Sequence, residues 1–448
     1  MSDKITLKRG LDISISGTAA PTVCDVAWGG DFAVVPDHYD GIKPKVVVHD
    51  GDVIHAGDPL FHDKQCEDLC ITSPVSGTVT AVVRGERRKV LSINIKADAE
   101  TTYKQFDTKG DVKQLLLESG LWALLRQRPY DIIANPQNEI RDIFVSAFDS
   151  APLAPDYNFI LKGQEKELQA GIDALCKLAG KKIHLSLSAR HEQNTFSNLN
   201  NAEIHIFDGP HPAGNVSVQI NHIAPVNKGE TVVVVNIQDV VLIGRFMLSG
   251  KVDMRRIVAL AGPEVKEPTY INYVQGALIE PAVNGKVSED KPLRYVSGNV
   301  LSGQQMLPSE PLSPFANQIT VIDDGSETHE ILGWAMPRIH KFSATRLFGA
   351  GLLAALKKDF RFDWDARILG GRRAIIMSGE YDKMLPMDIY AEYLIKAMIA
   401  GNIDRMEALG AYEIAPEDFA LAEFACTSKL PLQAIVRQAL DNMRKELE

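Results

Sequence analysis

The chain has 448 residues, 45% hydrophobic and 24% charged, with 48 basic against 58 acidic side chains and a net charge of −10. Its length exceeds one ordinary domain of about 150 residues, and the acidic balance argues against nucleic acid as the main partner, because phosphate binding needs a basic face. No stretch approaches the roughly 20 apolar residues of a membrane helix, no early apolar run reads as a signal peptide, and the cysteines (Cys24, Cys66, Cys70, Cys176, Cys426) are few, odd in number and scattered, which suits a reduced compartment.

The first hundred residues read as short strands. Turn signals at Asp50-Gly51 and Gly57-Asp58-Pro59 separate β-branched runs, Ser73-Pro74-Val75-Ser76-Gly77 opens a second hairpin, and Leu91, Ile93 and Ile95 alternate with polar neighbours. This pattern resembles the flattened barrel (hammerhead) of lipoyl and biotinyl carrier domains.

From residue 142 to 260 strands alternate with helices. Ile143-Phe144-Val145, then Ile183, Leu185 and Leu187, then 204–207 read as strands, and Leu168, Ile172, Leu175 and Ala179 fall at helical spacing. The apolar runs 232–235 and 257–260 predict strands buried on both faces of one parallel sheet, with a helix over 239–248 crossing between them. This grammar predicts an α/β layer domain. Residues 256–324 return to strands and turns (Asn284-Gly285, Ser297-Gly298, Ser302-Gly303), and after Gly333 the chain turns helical, with a helix expected over 387–400 and an amphipathic stretch at 432–440.

Chemistry-bearing patterns are sparse. There is no C-x-x-C pair and no H-E-x-x-H, and His49, His55 and His62 near turns build no coordination sphere by themselves, so no metal is assigned. The α/β region lacks the G-x-G-x-x-G turn that brings a pyrophosphate to helix N–H groups. His211, between two prolines and near Asp208, reads as a relay or ligand-contact residue, or as part of a rigid loop crossing the sheet. Trp334 and Met336 line an apolar pocket or seal a domain interface; Trp122, with Arg126 and Arg128, lies in a docked helix or at an aromatic-lined surface.

With these segments in place, the chain resembles the NqrA family of bacterial Na+-translocating NADH:quinone oxidoreductases. The resemblance runs from Leu7-Lys8-Arg9-Gly10-Leu11-Asp12 almost to the C-terminus, through the barrel hairpins, Ser119-Gly120-Leu121-Trp122 with Arg126 and Arg128-Pro129, the loop 207–214, Pro225-Val226-Asn227, 333–337 and Leu409-Gly410-Ala411. It implies a multidomain α/β chain: a barrel over 1–102, a Rossmann-like layer domain over 103–255, a ubiquitin-like β-grasp (SLBB-like) module over 256–330, and a helical, degenerate ferredoxin-like domain over 331–448. It also implies a peripheral subunit on the cytoplasmic side of the bacterial inner membrane, in a six-subunit complex that passes electrons from NADH to ubiquinone and exports Na+. The other five subunits are the implied partners, with docking on a membrane subunit such as NqrB.

The family is also related to the RnfC component of the Rnf complex and to the flavin-bearing NADH-binding subunit of complex I. The flavin loop of those relatives corresponds to 120–129, where Leu121, Trp122, Leu124, Leu125 and Arg126 would occupy the space of a flavin phosphate. Cys426 resembles the last ligand of a C-x-x-C-x-x-C-x-x-x-C cluster motif whose other positions are Pro416, Phe419 and Ala422, none of them an iron ligand. The expectation is a chain with no tightly bound cofactor, while NADH, flavins and iron–sulfur centres belong to partner subunits. Ubiquinone is the candidate ligand, with Trp122, Arg126, Arg128 and His211 as the residues that would meet it and no residue assigned to catalysis. The alternatives are a purely structural docking subunit and a carrier domain modified at Lys64, which stands too early for the centre of its hairpin.

Overall fold

In the computed structural model, residues 4–191, 195–196, 198–328, 341–344 and 360–447 are described; the segment 333–338, with Trp334 and Met336, lies outside them. The chain begins by visiting two other layers: β1 (Lys4–Thr6) and β2 (Ala20–Cys24) precede the barrel strands and pair elsewhere. The barrel comes next, from β3 (Asp31–Val34), β4 (Pro44–Val46), β5 (Val53–Ile54), β6 (Pro59–Asp63), β7 (Cys70–Thr72), β8 (Gly77–Arg84) and β9 (Val90–Ala97). A four-stranded sheet, β3-β9-β8-β5, faces a three-stranded one, β4-β6-β7. Alternation puts Phe32, Val34, Phe61, Ile71, Val79, Ile93 and Ile95 inside.

Strand β7 ties the barrel to the α/β layer. Cys70 Sγ and Thr72 Oγ1 donate to the carbonyls of Leu117 and Ser119 (3.2 and 2.9 Å), at the end of α1 (Val112–Glu118). Gly120 then turns at φ +75, and a Cβ there would lie 2.7 Å from Thr72 Oγ1, so this close approach requires glycine.

The next strands, β10 (Arg126–Arg128), β11 (Ile132–Ile133) and β12 (Asp142–Ser146), lead into α2 (Tyr157–Ile160), α3 (Glu165–Ala179), β13 (Ile183–Ser188), β14 (Ala202–Asp208), α4 (Val216–Ile223), β15 (Val232–Asn236) and α5 (Ile237–Ser249). They form a seven-stranded sheet, β1-β14-β13-β12-β15-β10-β11, parallel from β1 to β15. Counting from β12, the parallel strands lie in the order 3-2-1-4. Alternate residues along each strand enter two different cores. Ile143, Val145, Leu185 and Val235 join Leu168, Ile172 and Val240 of α3 and α5. Phe144, Phe207 and Val232 join Val218 and Ile220 of α4 and the C-terminal helices. Helices α3 and α5 meet backbone to backbone through Gly171 and Gly244, where a Cβ would fall 2.0 Å from Val240 O and 1.7 Å from Glu167 O.

The run 257–260 departs from the expected parallel sheet. It lies in β16 (Arg255–Ala261), which belongs to a separate six-stranded sheet. That sheet also contains β17 (Thr269–Val274), β18 (Leu293–Ser297), β19 (Gln304–Met306) and β20 (Gln318–Asp323), in the order β19-β18-β20-β16-β17-β2. β16 runs antiparallel to β17 and parallel to β20. An apolar run reports only that both faces are covered, and a mixed sheet packed against the α/β layer meets that condition equally well. After the short helix α6 (Glu280–Val283), the described C-terminal helices are α7 (Glu380–Met384), α8 (Ala391–Ile399), α9 (Ile403–Ala408), α10 (Ala420–Ala425) and α11 (Leu432–Leu447). The helix expected from 387 starts only at Ala391. The C-terminal layer is fastened to α4 and the loop after it by Glu413, whose carboxylate accepts from Asn221 Nδ2 (2.7 Å) and Val226 N (3.2 Å).

Candidate functional site

The four residues singled out in the sequence fall into tightly paired surroundings. Trp122 sits in a 3₁₀ turn, Leu121–Leu124, 1% exposed, and its indole N–H donates to Ala134 O at 2.7 Å. It offers no open aromatic face. Arg126 stacks its guanidinium 4.9 Å from the Phe315 ring and pairs with Asp40 (3.1 Å) and Asp131 (2.9 Å). Arg128, fully buried, pairs with Asp131 at 2.5 Å and reaches Ser217 Oγ in the first turn of α4. Arg437 of α11 donates to the carbonyls of Tyr130 (2.6 Å) and Asp131 (3.0 Å). Burial would raise the Asp131 carboxyl, but Arg126, Arg128 and Arg437 outweigh it and hold the group below the ordinary carboxylate range. One donor is left over: Arg126 Nε is buried with no acceptor among the described residues.

His211 is also buried. Its backbone N–H donates to Asp12 Oδ1 (2.8 Å) and its Nδ1 lies 3.0 Å from Ser150 Oγ. Ser150 Oγ also accepts from Gly214 N (2.8 Å), which fixes the hydroxyl beside the ring. Burial lowers the imidazole to about 4 despite Asp12, so the ring is neutral near pH 7. Arg128 and His211 both adjoin the start of α4, whereas Trp122 packs into the other core.

A cleft that no sequence motif marked opens at the carboxyl ends of β12 and β13. It has a cavity volume of about 70 Å³ and is lined by Ala147, Phe148, Ala154, Leu187 and Phe196, with Asp149, Tyr157 and His191 among its polar groups. Ligands of open α/β sheets settle at this end, next to the point where strand order reverses, here between β12 and β15. Tyr157 Oη accepts from Asn236 Nδ2 of β15 (3.3 Å) and Asn317 Nδ2 (3.1 Å), which leaves its own proton to be donated. Burial raises both the Tyr157 hydroxyl and the Asp149 carboxyl. Neither amide partner of the Tyr157 hydroxyl lines the cleft. The sequence held no signal for it, since its wall comes from strand ends and irregular loops.

Two of the cysteines, Cys70 and Cys426, are buried, Cys24 is exposed, and Cys66 and Cys176 are half-buried. Burial pushes the Cys70 thiol up to about 11. Cys426, buried, lies 2.9 Å from Tyr381 Oη, with Phe419 and Ala422 both fully buried beside it in the same core. Spacing assigned no metal, yet strand pairing gathers His184, Glu203 and His205, whose ligand atoms lie within 4.8 Å of one another. Only the register of β13 on β14 could have revealed that group.

Comparison with known proteins agrees with this architecture. Residues 5–98 match the NqrA N-terminal barrel-sandwich hybrid domain, 107–252 the NqrA second alpha/beta domain, and 257–307 the NQRA C-terminal domain. The NqrA subunit of the Na(+)-translocating NADH-quinone reductase of Haemophilus influenzae (strain 86-028NP) is 37% identical over 99% of this chain and 100% of that protein. The same subunit of Rhodopirellula baltica is 34% identical over 98% of each. A solved chain of NAD+-reducing NiFe-hydrogenase in the H2-reduced state aligns with a TM-score of 0.38 and 14% identity over 76% of this chain and 62% of that one. Matched from end to end at this identity, the chain belongs to the NqrA family of Na+-translocating NADH-quinone reductase subunits.

Proposed function

We propose that the chain serves as a peripheral subunit of a Na+-translocating NADH:quinone reductase, on the cytoplasmic side of the bacterial inner membrane, and supports electron transfer to ubiquinone without a tightly bound redox group of its own. The observation that carries this reading is full-length identity of 37% to a protein named as the NqrA component of that reductase. Among the described residues no helix is long and apolar enough to cross a membrane, so attachment would run through partner subunits, with the membrane subunit NqrB as the docking site. NADH, flavins and iron–sulfur centres would reside in those partners. The surroundings of Cys426 support this division, because a lone buried thiol among Phe419, Ala422 and Tyr381 cannot ligate a cluster.

The finer architecture belongs to the same reading: a hammerhead-type barrel over 1–102, a Rossmann-like domain over 103–255, a β-grasp module over 256–330 and a degenerate ferredoxin-like domain over 331–448. The 3-2-1-4 strand order supports the second of these. The pairing of Trp122, Arg126 and Arg128 favours a joint between layers for the segment 120–131. Contact with quinone through Trp122, Arg126, Arg128 and His211 keeps one observation in its favour, the unpartnered Nε–H of Arg126.

Assaying the complex with and without this chain tests the main reading. Quinone reduction should fall when the chain is missing and return when it is added back, while NADH oxidation by an artificial acceptor persists. Unchanged quinone reduction would refute a supporting role. For the segment, Arg126→Ala should weaken assembly and leave quinone binding intact if it is a joint, and do the reverse if it meets the quinone.

A further inference from the structure

We propose that His184, Glu203 and His205 form a binding site for one divalent transition-metal ion of the zinc class. The strands β13 and β14 pair in parallel with His184 opposite Glu203 and Ser186 opposite His205, so the period of two brings all three side chains onto one face of the sheet. His184 Nδ1 lies 3.0 Å from His205 Nε2 and 3.9 Å from Glu203 Oε2. Two imidazole nitrogens bound to one tetrahedral zinc at about 2.0–2.1 Å stand roughly 3.3 Å apart, so the pair needs to open by only a few tenths of an ångström.

The lone pair of His184 is aimed. Its Nε2 lies 3.4 Å from Asp142 Oδ1, a carboxylate that favours the proton on Nε2, while Nδ1 faces His205 and Glu203. Lys181 Nζ (2.7 Å) and Arg141 Nε (2.6 Å) pair with the same carboxylate and hold it in place. Phe144 stacks on the ring with centroids 4.7 Å apart and planes at 20°, fixing its tilt. A carboxylate holding the far nitrogen of an imidazole is the arrangement that orients metal-bound histidines. Two imidazoles and one carboxylate select zinc, copper or nickel over magnesium and calcium. Glu203 is exposed, which leaves the fourth position open to water or to a partner's side chain. The site lies near the amino ends of β13 and β14, at the opposite end of the sheet from the cleft. An ion there would clamp the two strands together without entering the cleft.

Titrating the chelator-treated full-length chain with Zn2+ in a calorimeter, with Co2+ absorption as a second probe, tests the assignment. One saturable equivalent is expected, unaffected by excess Mg2+ and weakened at least about 10-fold in His184→Gln and in His205→Gln. Asp142→Asn should weaken it about 10- to 100-fold through loss of orientation. Circular dichroism of the metal-free variants checks their folding, and the exposed Glu203→Ala carries the test should a histidine variant not fold. Absence of saturable binding, or affinity unchanged in these variants because histidines such as His49 and His55 take the ion, would overturn the proposal.

Discussion

At the scale of single residues, burial decides what the letters leave open. Trp122 stands in a leucine-rich turn that reads the same whether it lines a ligand or fills a core, and only its 1% exposure and the bond to Ala134 assign it to the core. Trp122→Ala should therefore cost about 3–5 kcal/mol of stability, while Trp122→Phe keeps much of the volume and should cost distinctly less; urea unfolding midpoints distinguish the two. His211 gives a pH signature. Its folded value, about 4, lies below the ordinary 6.5, so the neutral ring contributes stability above pH 6.5 that is lost as pH falls toward 4. The ceiling is about 3 kcal/mol, from some 1.4 kcal/mol per unit. His211→Gln should flatten that part of the stability–pH curve between 6.5 and 4, measured against the wild-type chain in denaturant titrations. An equal slope in both proteins would show that the ring does not contribute. The prolines around His211 hinted at rigidity in the sequence; its neutral state comes from burial, which outweighs the charge of Asp12 and which no motif encodes.

At the scale of elements, periodicity is informative where a strand or helix faces two cores. Helix α3 and strands β12 to β15 lie where the apolar spacing put them. Periodicity could not say which sheet a buried strand joins, and β16 went to the six-stranded sheet although its letters resemble those of β15. Nor could it show the contact between α3 and α5, because glycine inside a helix reads as a weakness. In a solvated helix Gly→Ala gains about 1 kcal/mol. At Gly244 the added Cβ would sit 1.7 Å from Glu167 O, so Gly244→Ala should instead lose about 1–3 kcal/mol by forcing the helices apart. A thermal melt of that variant checks the sign, and a stabilised protein would contradict the close packing.

At the scale of the whole molecule, the layers are fastened at a few polar knots. Asp131 gathers Arg126 and Arg128 from β10, and Arg437 from α11 reaches its carbonyl, so one short loop joins the barrel side, the α/β sheet and the last helix. Because the knot engages these arginines, the segment 120–131 holds the layers together. With Cys426 alone in its core, the same logic extends to the C-terminal layer. On the proposed reading, this chain serves an electron-transfer complex and carries no redox group of its own. The visible spectrum of the purified full-length chain, read with its iron and flavin content, tests that most directly. A colourless protein with neither flavin nor iron in stoichiometric amount is the result expected, and an absorption band accompanied by one equivalent of either would contradict it.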